Sequence, residues 1–486
     1  MEELLSGLDL VARAWQAMRD EGFEPDLSPE AARELAALPE TAADSRPPND
    51  LRGLLWSSID NPDSRDLDQV EMAERLPHGS ILVRVGIADV DSLVKAWTAL
   101  DAHAVRSTTS VYTGIATFPM LPELLSTDRT SLNPGQDRRA IIVEMMVDAE
   151  GNVAPGEVFP ALLHNHAKLD YESVGAWLEG KAPVPEHVAA TPGMEEQLGL
   201  QDEAAARLAA RRRREGSLEL ETIEARPVLT TKGRVIELEV ARKNRAHALI
   251  ENFMVAANTV IAGFLSDHGI PALQRIVRSP ERWARIVVLA RELGEWLPEM
   301  PDSRALSAFL TRRREADPLR FPDLSLAVVK LLGPGEYALV RPGEHPGHFG
   351  LAAPNYTHST APNRRYPDLI TQRLLKATLA GEMSPYSESD LDLLARHCTE
   401  REDASRKVER LMRKVAGAVL LAERIGETFE AVVTGANRKG TFVRVLTPPV
   451  EGRVITGEAG MDVGDKVRVR LVATDPLQGY IDFARV

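Results

Sequence analysis

The sequence predicts an α+β protein in three parts: a small helical unit (1–48), a central domain of hairpins and long helices (49–425), and a C-terminal β-barrel (426–486). Three observations carry that expectation. Apolar residues near the start recur at spacings of three and four, the signature of one helix face. Strand-like alternation and helical periods are mixed through the middle, which suits α+β rather than a regular α/β repeat. The last ~60 residues hold five short β-rich runs separated by Gly, Pro and Asp turns, the pattern of an OB barrel.

Each part can be justified in chain order. Leu4, Leu8, Val11, Trp15 and Met18 form the first apolar stripe. Ser28-Pro29 supplies an N-cap followed by Pro at the first helical position, opening a second helix through Leu35 and Leu38. Arg46-Pro47-Pro48-Asn49-Asp50 reads as a linker. Ile81, Val83, Val85 and Ile87 alternate as a half-buried strand does. Ala140 to Val147 and the residues after Gly151 read as two strands of a hairpin, and Arg226 to Thr230 pairs with Arg234 to Val240 across Thr231-Lys232-Gly233. Tyr171 begins a helical stretch, and Ala182-Pro183-Val184-Pro185 marks a surface loop. Leu249, Phe253, Ala256, Val260 and Phe264 are the buried stripe of a long helix. A further helix follows Pro367, and Thr399 with Glu402 has capping-box spacing, placing the start of a last long helix there. The barrel strands are expected at Phe429–Val433, Thr441–Val445, Val450–Val454, Lys466–Val472 and Tyr480–Phe483.

Composition narrows the function classes. Hydrophobic residues make up 44% of the chain and charged residues 27%, as in ordinary globular proteins. No apolar run reaches the ~18 residues of a membrane span, so no membrane partner is expected. One cysteine, Cys398, excludes an intrachain disulfide framework and suits a reducing, cytoplasmic setting. No P-loop appears, hence no nucleotide cofactor is expected, and no Cys/His pattern suggests zinc. The net charge of −14 means that any nucleic-acid surface must concentrate its positive charge locally. Arg211 to Arg214 and Arg364-Arg365 are the candidate contributors, although an Arg run is often only a solvated helix face.

The most informative stretch is Ser58-Ile59-Asp60-Asn61-Pro62-Asp63-Ser64-Arg65-Asp66-Leu67-Asp68-Gln69. Its four carboxylates would repel one another if packed together, and a divalent cation relieves that repulsion. Hard oxygen donors suit Mg²⁺ or Mn²⁺, and the spacing lacks the Gly of a calcium loop. By itself the stretch reads as a solvated acidic loop as readily as a metal site.

The motifs that follow decide between these readings. Ile87-Ala88-Asp89-Val90, Arg106-Ser107-Thr108-Thr109-Ser110-Val111-Tyr112, His348-Phe349-Gly350-Leu351 and Tyr356 to Asp368 stand in a fixed order after the acidic loop. Together they resemble the catalytic domain of the ribonuclease II / ribonuclease R (RNB) family over residues 50 to 425. The tail Phe-Glu-Ala-Val-Val-Thr-Gly…Gly-Thr-Phe-Val-Arg resembles an S1-type RNA-binding module. The resemblance implies processive 3′→5′ hydrolysis of single-stranded RNA to nucleoside 5′-monophosphates with divalent metal, Mg²⁺ or alternatively Mn²⁺, in a two-ion arrangement.

It also implies residue roles. Asp60, Asp66 and Asp68 would hold the metal, with Gln69 standing where the family usually has a fourth Asp. Weaker metal binding is expected from that change, with Asp63 as a nearby carboxylate. Arg364 would be the cation facing the phosphate, leaving Arg365 to pair with a structural acid such as Asp368. Tyr112 would stack on the 3′-terminal base, and Tyr171, Glu251 and Glu409 would contact the RNA near its end. Phe429 and Phe442 would stack bases on the barrel while Arg444, Lys466 and Arg468 hold phosphates, with at least one Phe in the barrel core. The helical unit at the start takes the place of the family's cold-shock modules, as an RNA guide or as a cap on the catalytic domain. A monomer is expected. The competing readings are an RNA-binding scaffold that has lost catalysis through Gln69, and a metal-dependent DNA phosphoesterase.

Overall fold

Short-range sequence signals set the ends of the first elements. In the computed structural model, which describes residues 9–39, 49–221, 224–230, 235–318, 320–437, 440–462 and 464–486, helix α1 (Leu10–Asp20) is capped by Asp9, whose carboxylate accepts the Ala12 N–H at 2.9 Å. Helix α2 (Pro29–Ala37) has the Ser28 cap and the Pro start expected of it. The buried face of α1 is Leu10, Ala14, Ala17 and Met18, while Val11 is 47% exposed. The expected stripe through Val11 is therefore corrected by one position, because α1 packs on a long helix of the central domain. Leu4, Leu8, the linker residues 46–48 and the turn at 231–233 lie outside the described residues.

The central domain is organised on a sheet that closes on itself. Its strands are β1 (Asn49–Asp50), β2 (Trp56–Asp60), β3 (Gln69–Arg75) and β4 (Ile81–Ala88), then β7 (Asp137–Val147) and β8 (Val153–Asp170). Between them lies a small hairpin, β5 (Val111–Tyr112) and β6 (Thr117–Phe118). β8 is long enough to pair antiparallel with β7 through its first part and parallel with β2 through its end, completing the ring. Gly86 on β4 is a close-approach position: a Cβ there would stand 2.6 Å from the Leu163 side chain of β8. The acidic stretch is the connection from β2 to β3, so Asp60 ends one strand and Asp68 immediately precedes the next.

Helices cover this ring. They are α3 (Ala99–Ser107), α4 (Tyr171–Leu178), α5 (Glu186–Ala189), α6 (Met194–Glu215) and α7 (Arg245–Asp267). Gln197 on α6 clasps the backbone of Ala73 on β3 through both its amide nitrogen and its oxygen. By length and composition α7 could cross a membrane, but most of its apolar residues are buried inside the protein, Met254 and Phe264 only in part. The hairpin β9 (Glu224–Leu229) and β10 (Val235–Ala241) forms as expected, and a further antiparallel pair, β11 (Ala272–Ile276) and β12 (Glu336–Val340), joins segments about sixty residues apart that the sequence had not marked as strands. A separate apolar cluster joins α8 (Trp283–Glu292), α9 (Ser303–Ala316) and α10 (Phe321–Leu332).

Helix α11 (Tyr366–Ala380) carries Pro367 in its first turn, and α12 runs unbroken over Glu388–Leu421. The expected start of α12 at Thr399 is wrong. The cap is Ser387, in a capping box with Asp390, and Thr399 sits mid-helix with its hydroxyl donating to Ala395 O at 3.0 Å. Continuous burial of Leu391, Ala395 and Cys398 keeps the earlier segment helical. The C-terminal barrel closes from β13 (Thr428–Asn437), β14 (Gly440–Val445), β15 (Glu451–Thr456), β16 (Lys466–Asp475) and β17 (Tyr480–Arg485). All five expected strands are present.

Candidate active site

The β2–β3 connection places its acids in different surroundings. Asp60 is half-buried and accepts from Asn61 N and Ser64 Oγ, each at 2.7 Å. Burial nevertheless pushes its pKa up, with Asp66 contributing. Asp68 is 1% exposed; Oδ1 accepts the Asn363 N–H at 2.8 Å and Oδ2 makes no hydrogen bond. Its pKa is pushed up to about 8, first by burial and further by Asp66. Asp66 accepts the Tyr112 hydroxyl at 2.9 Å. Asp63 is exposed.

Arg364 lies over this group, its Nε 3.3 Å from Asp68 Oδ2, while Arg365 pairs with Asp368 at 2.7 Å. The two adjacent arginines thus meet different acids, Asp68 and Asp368. The Tyr112 backbone N–H donates to Glu409 Oε1 on α12 at 3.2 Å, which brings Glu409 to the same place from nearly three hundred residues away. Asp60, Asp66, Asp68, Arg364, Tyr112 and Glu409 therefore form one continuous set.

Tyr171 joins the set from the other side. It starts α4, directly after β8, whose last residue Asp170 pairs with Asp60 and caps that helix. Its ring stacks on His247 at 3.9 Å between centroids, and Asn244 holds its carbonyl at 2.6 Å. Burial and the nearby Asp60 and Glu71 raise its phenol pKa. Glu251 stands one turn beyond His247 on α7 and is ion-paired to Lys243 at 2.7 Å and to Arg212 at 4.0 Å. Its ion pairs are with these two cations rather than with the acids of the β2–β3 connection.

One residue escaped sequence reasoning. Glu71 on β3 is fully buried, neither carboxylate oxygen has a hydrogen-bond partner, and burial raises its pKa well above the usual range, with Asp60 adding to it. It shares a strand face with Gln69, two residues earlier. A Glu inside the otherwise apolar run Val70-Glu71-Met72-Ala73 was the available signal.

Most of the expected RNA cations are committed elsewhere. Arg211 pairs with Glu215, Arg213 with Glu219, and Arg212 donates to Asn252, while Arg214 donates to Glu150 O. Arg444 is buried against Asp323 of α10 and does not stand free for phosphate, whereas Arg468 makes only an exposed surface pair with Glu430. Phe429 is barrel core at 6% exposure; Phe442 is only partly buried, with Lys414 6.0 Å from its ring. Lys466 is exposed.

The donor chemistry suits a hard divalent cation. A buried Asp68 oxygen that makes no hydrogen bond and is met only by the Arg364 ion pair, together with mutual repulsion among the acids, is what such an ion relieves. Among the described residues, however, no three His, Cys, Asp or Glu side chains converge on one point. The arrangement fits Mg²⁺ held by one or two carboxylates, with water and phosphate oxygens completing its shell.

Residues 48–381 match the RNB domain, more than half of the chain, and residues 427–486 match the RNase II-type exonuclease C-terminal S1 domain. The chain belongs to the RNB family. Ribonuclease R of Thermotoga maritima is 31% identical over 90% of this chain and 64% of its own length. Ribonuclease R of Escherichia coli is also 31% identical, over 95% of this chain and 60% of its own length. This RNB chain thus spans about three-fifths of the length of the curated relatives it matches. In fold it is similar to Mycoplasma genitalium RNase R in complex with ribose-methylated single-stranded RNA, with a TM-score of 0.87 at 22% identity, covering 98% of this chain and 78% of the other.

Proposed function

We propose that this RNB chain is a 3′→5′ exoribonuclease that hydrolyses single-stranded RNA processively to nucleoside 5′-monophosphates, as a cytoplasmic monomer. The observation that carries the reading is the Arg364–Asp68 pair beside the Tyr112–Asp66 hydrogen bond. A cation, an aromatic face and buried acids meet there, which is what hydrolysis at a chain end requires. Water adds to the phosphorus of the terminal nucleotide and the 3′-oxygen of its neighbour leaves, so the product keeps a 5′-phosphate.

One or two of Asp60, Asp66 and Asp68 would hold Mg²⁺ or Mn²⁺, with water and phosphate oxygens filling the rest of its shell; when bound, the ion supplies a Lewis acid and a water of lowered pKa. Arg364 exchanges its contact with Asp68 for phosphoryl oxygens, where its planar fork can grip two of them. Tyr112, 43% exposed, offers a π-face to the terminal base irrespective of sequence. Tyr171 and Glu251 lie on the side from which a ribose 2′-hydroxyl could be read. Glu409 fixes the Tyr112 backbone.

The test is 5′-labelled single-stranded RNA and matched DNA with Mg²⁺, Mn²⁺ or EDTA. Progressive shortening of RNA alone, 5′-monophosphate release and loss of both in EDTA are expected, and Asp68→Asn should bind RNA without shortening it. Equal attack on DNA overturns the reading in favour of a DNA phosphoesterase. RNA bound but intact in both metals favours a second reading, a scaffold disabled at Gln69.

A further inference from the structure

The N-terminal helices touch the site without reaching it. The Trp15 ring on α1 packs edge-on against Phe118 of β6, with centroids 5.2 Å apart and planes at 82°. Phe118 pairs with Val111, next to Tyr112 in the same hairpin. The turn of that hairpin is stiffened by Thr113, whose hydroxyl donates to Ala116 O at 2.7 Å and accepts the Ala116 N–H at 2.9 Å. The hairpin and the residues leading into it are attached to the active site at several points, one of them the Tyr112 N–H donating to Glu409. Tyr112 bonds Asp66 through its hydroxyl, and Ser110 N donates to Arg364 O at 2.9 Å. Thr109 is also bridged to Arg365. Any tilt of this hairpin moves Tyr112 and Arg364 together.

The other contacts of α1 make it a fixed support. Arg401 of α12 donates to Glu21 O at 3.0 Å and lies 3.7 Å over the Phe23 ring. Lys407 pairs with Glu21 at 3.4 Å, and Arg13 donates to Leu477 O of the barrel at 2.9 Å. Leu10, Ala14 and Met18 belong to one apolar cluster with Val111, Phe118, Val408 and the barrel core.

We propose that Trp15 is a positioning residue of the active site: through Phe118 it sets the β5–β6 hairpin that presents Tyr112 to Asp66 and pins the backbone at Arg364. The helical unit then acts as a brace rather than as an RNA guide. The catalytic consequence rests on the exoribonuclease reading; the mechanical one does not.

The test uses full-length Trp15→Ala and Trp15→Phe, with Phe118→Leu as a second way to loosen the contact should Trp15→Ala not fold. Amide hydrogen exchange of residues 109–118 is read alongside the limit product and single-turnover rate on 5′-labelled oligoadenylate. In folded Trp15→Ala, exchange at 109–118 should accelerate about tenfold, the limit product should lengthen, and the single-turnover rate should fall roughly 10- to 100-fold with KM little changed. Trp15→Phe should restore all three. Unchanged exchange overturns the brace, and faster exchange with wild-type products and rate overturns its role in the reaction. A wild-type protein that shortens no RNA overturns the exoribonuclease reading, while the exchange arm still decides the brace.

Discussion

Asp68 and Gln69 are neighbours with opposite consequences. Asp68 is buried with an unbonded oxygen, a position that a cation stabilises, whereas Gln69 brings a neutral amide to the start of β3. Gln69→Asp is expected to lower the Mg²⁺ concentration needed for half-maximal binding, read by calorimetry; an unchanged titration removes position 69 from the metal environment. Glu71 supplies a pH prediction. Its folded pKa is raised, so the folded state holds a proton that the unfolded chain releases above the ordinary Glu range. Stability attributable to Glu71 therefore declines as pH rises from that range up to the folded pKa, by at most ~1.4 kcal/mol per pH unit. Glu71→Gln should raise Tm at neutral pH, with the gain shrinking as the solution is acidified. A gain independent of pH would contradict that origin.

At the scale of elements, α12 connects more of the protein than its sequence suggested. It carries Glu409 to Tyr112, Arg401 and Lys407 to the N-terminal unit, and Val415 and Ala416 to the apolar cluster shared with the barrel. Its real start is the Ser387 capping box, so Ser387→Ala should cost ~1 kcal/mol in denaturant unfolding, the usual worth of an N-cap. Thr399→Ser leaves the mid-helix hydroxyl in place and should cost far less. Ser387→Ala with wild-type stability would remove Ser387 as the cap.

Across the whole molecule, acidic net charge coexists with arginines that are largely occupied. Arg444 was expected to grip phosphate, but it is 7% exposed at its side chain and joins the barrel to α10 through Asp323. Arg444→Ala should cost about 1–3 kcal/mol of stability, because it strands a partly buried carboxylate. It should leave the salt dependence of RNA binding unaltered. Lys466→Ala should do the reverse, lowering the slope of log affinity against log salt by about 1 at little cost in Tm. Matching slopes for the two variants would show that Lys466 does not contact phosphate.

Local physics made much of this fold legible in the chain. Strand alternation, N-caps, turn residues and the clustered acids act over a few residues, so the barrel strands, the β7–β8 hairpin, α2, α7 and the acidic β2–β3 connection were all legible. So was the pairing of Arg365 with Asp368, three residues on in the same motif. Tertiary structure decided what depends on partners far away in the chain. Glu71 is orphaned only because α6 and the closed ring enclose it, and Val11 faces outward because α12 lies against the neighbouring turn positions. Arg444 meets Asp323, Arg212 meets Asn252 and Arg214 meets the Glu150 carbonyl, partners that no local pattern links to them, whereas Arg211 takes the i,i+4 Glu215 on its own helix. The N-terminal helices became a brace only when Trp15 met Phe118, a contact between segments about a hundred residues apart.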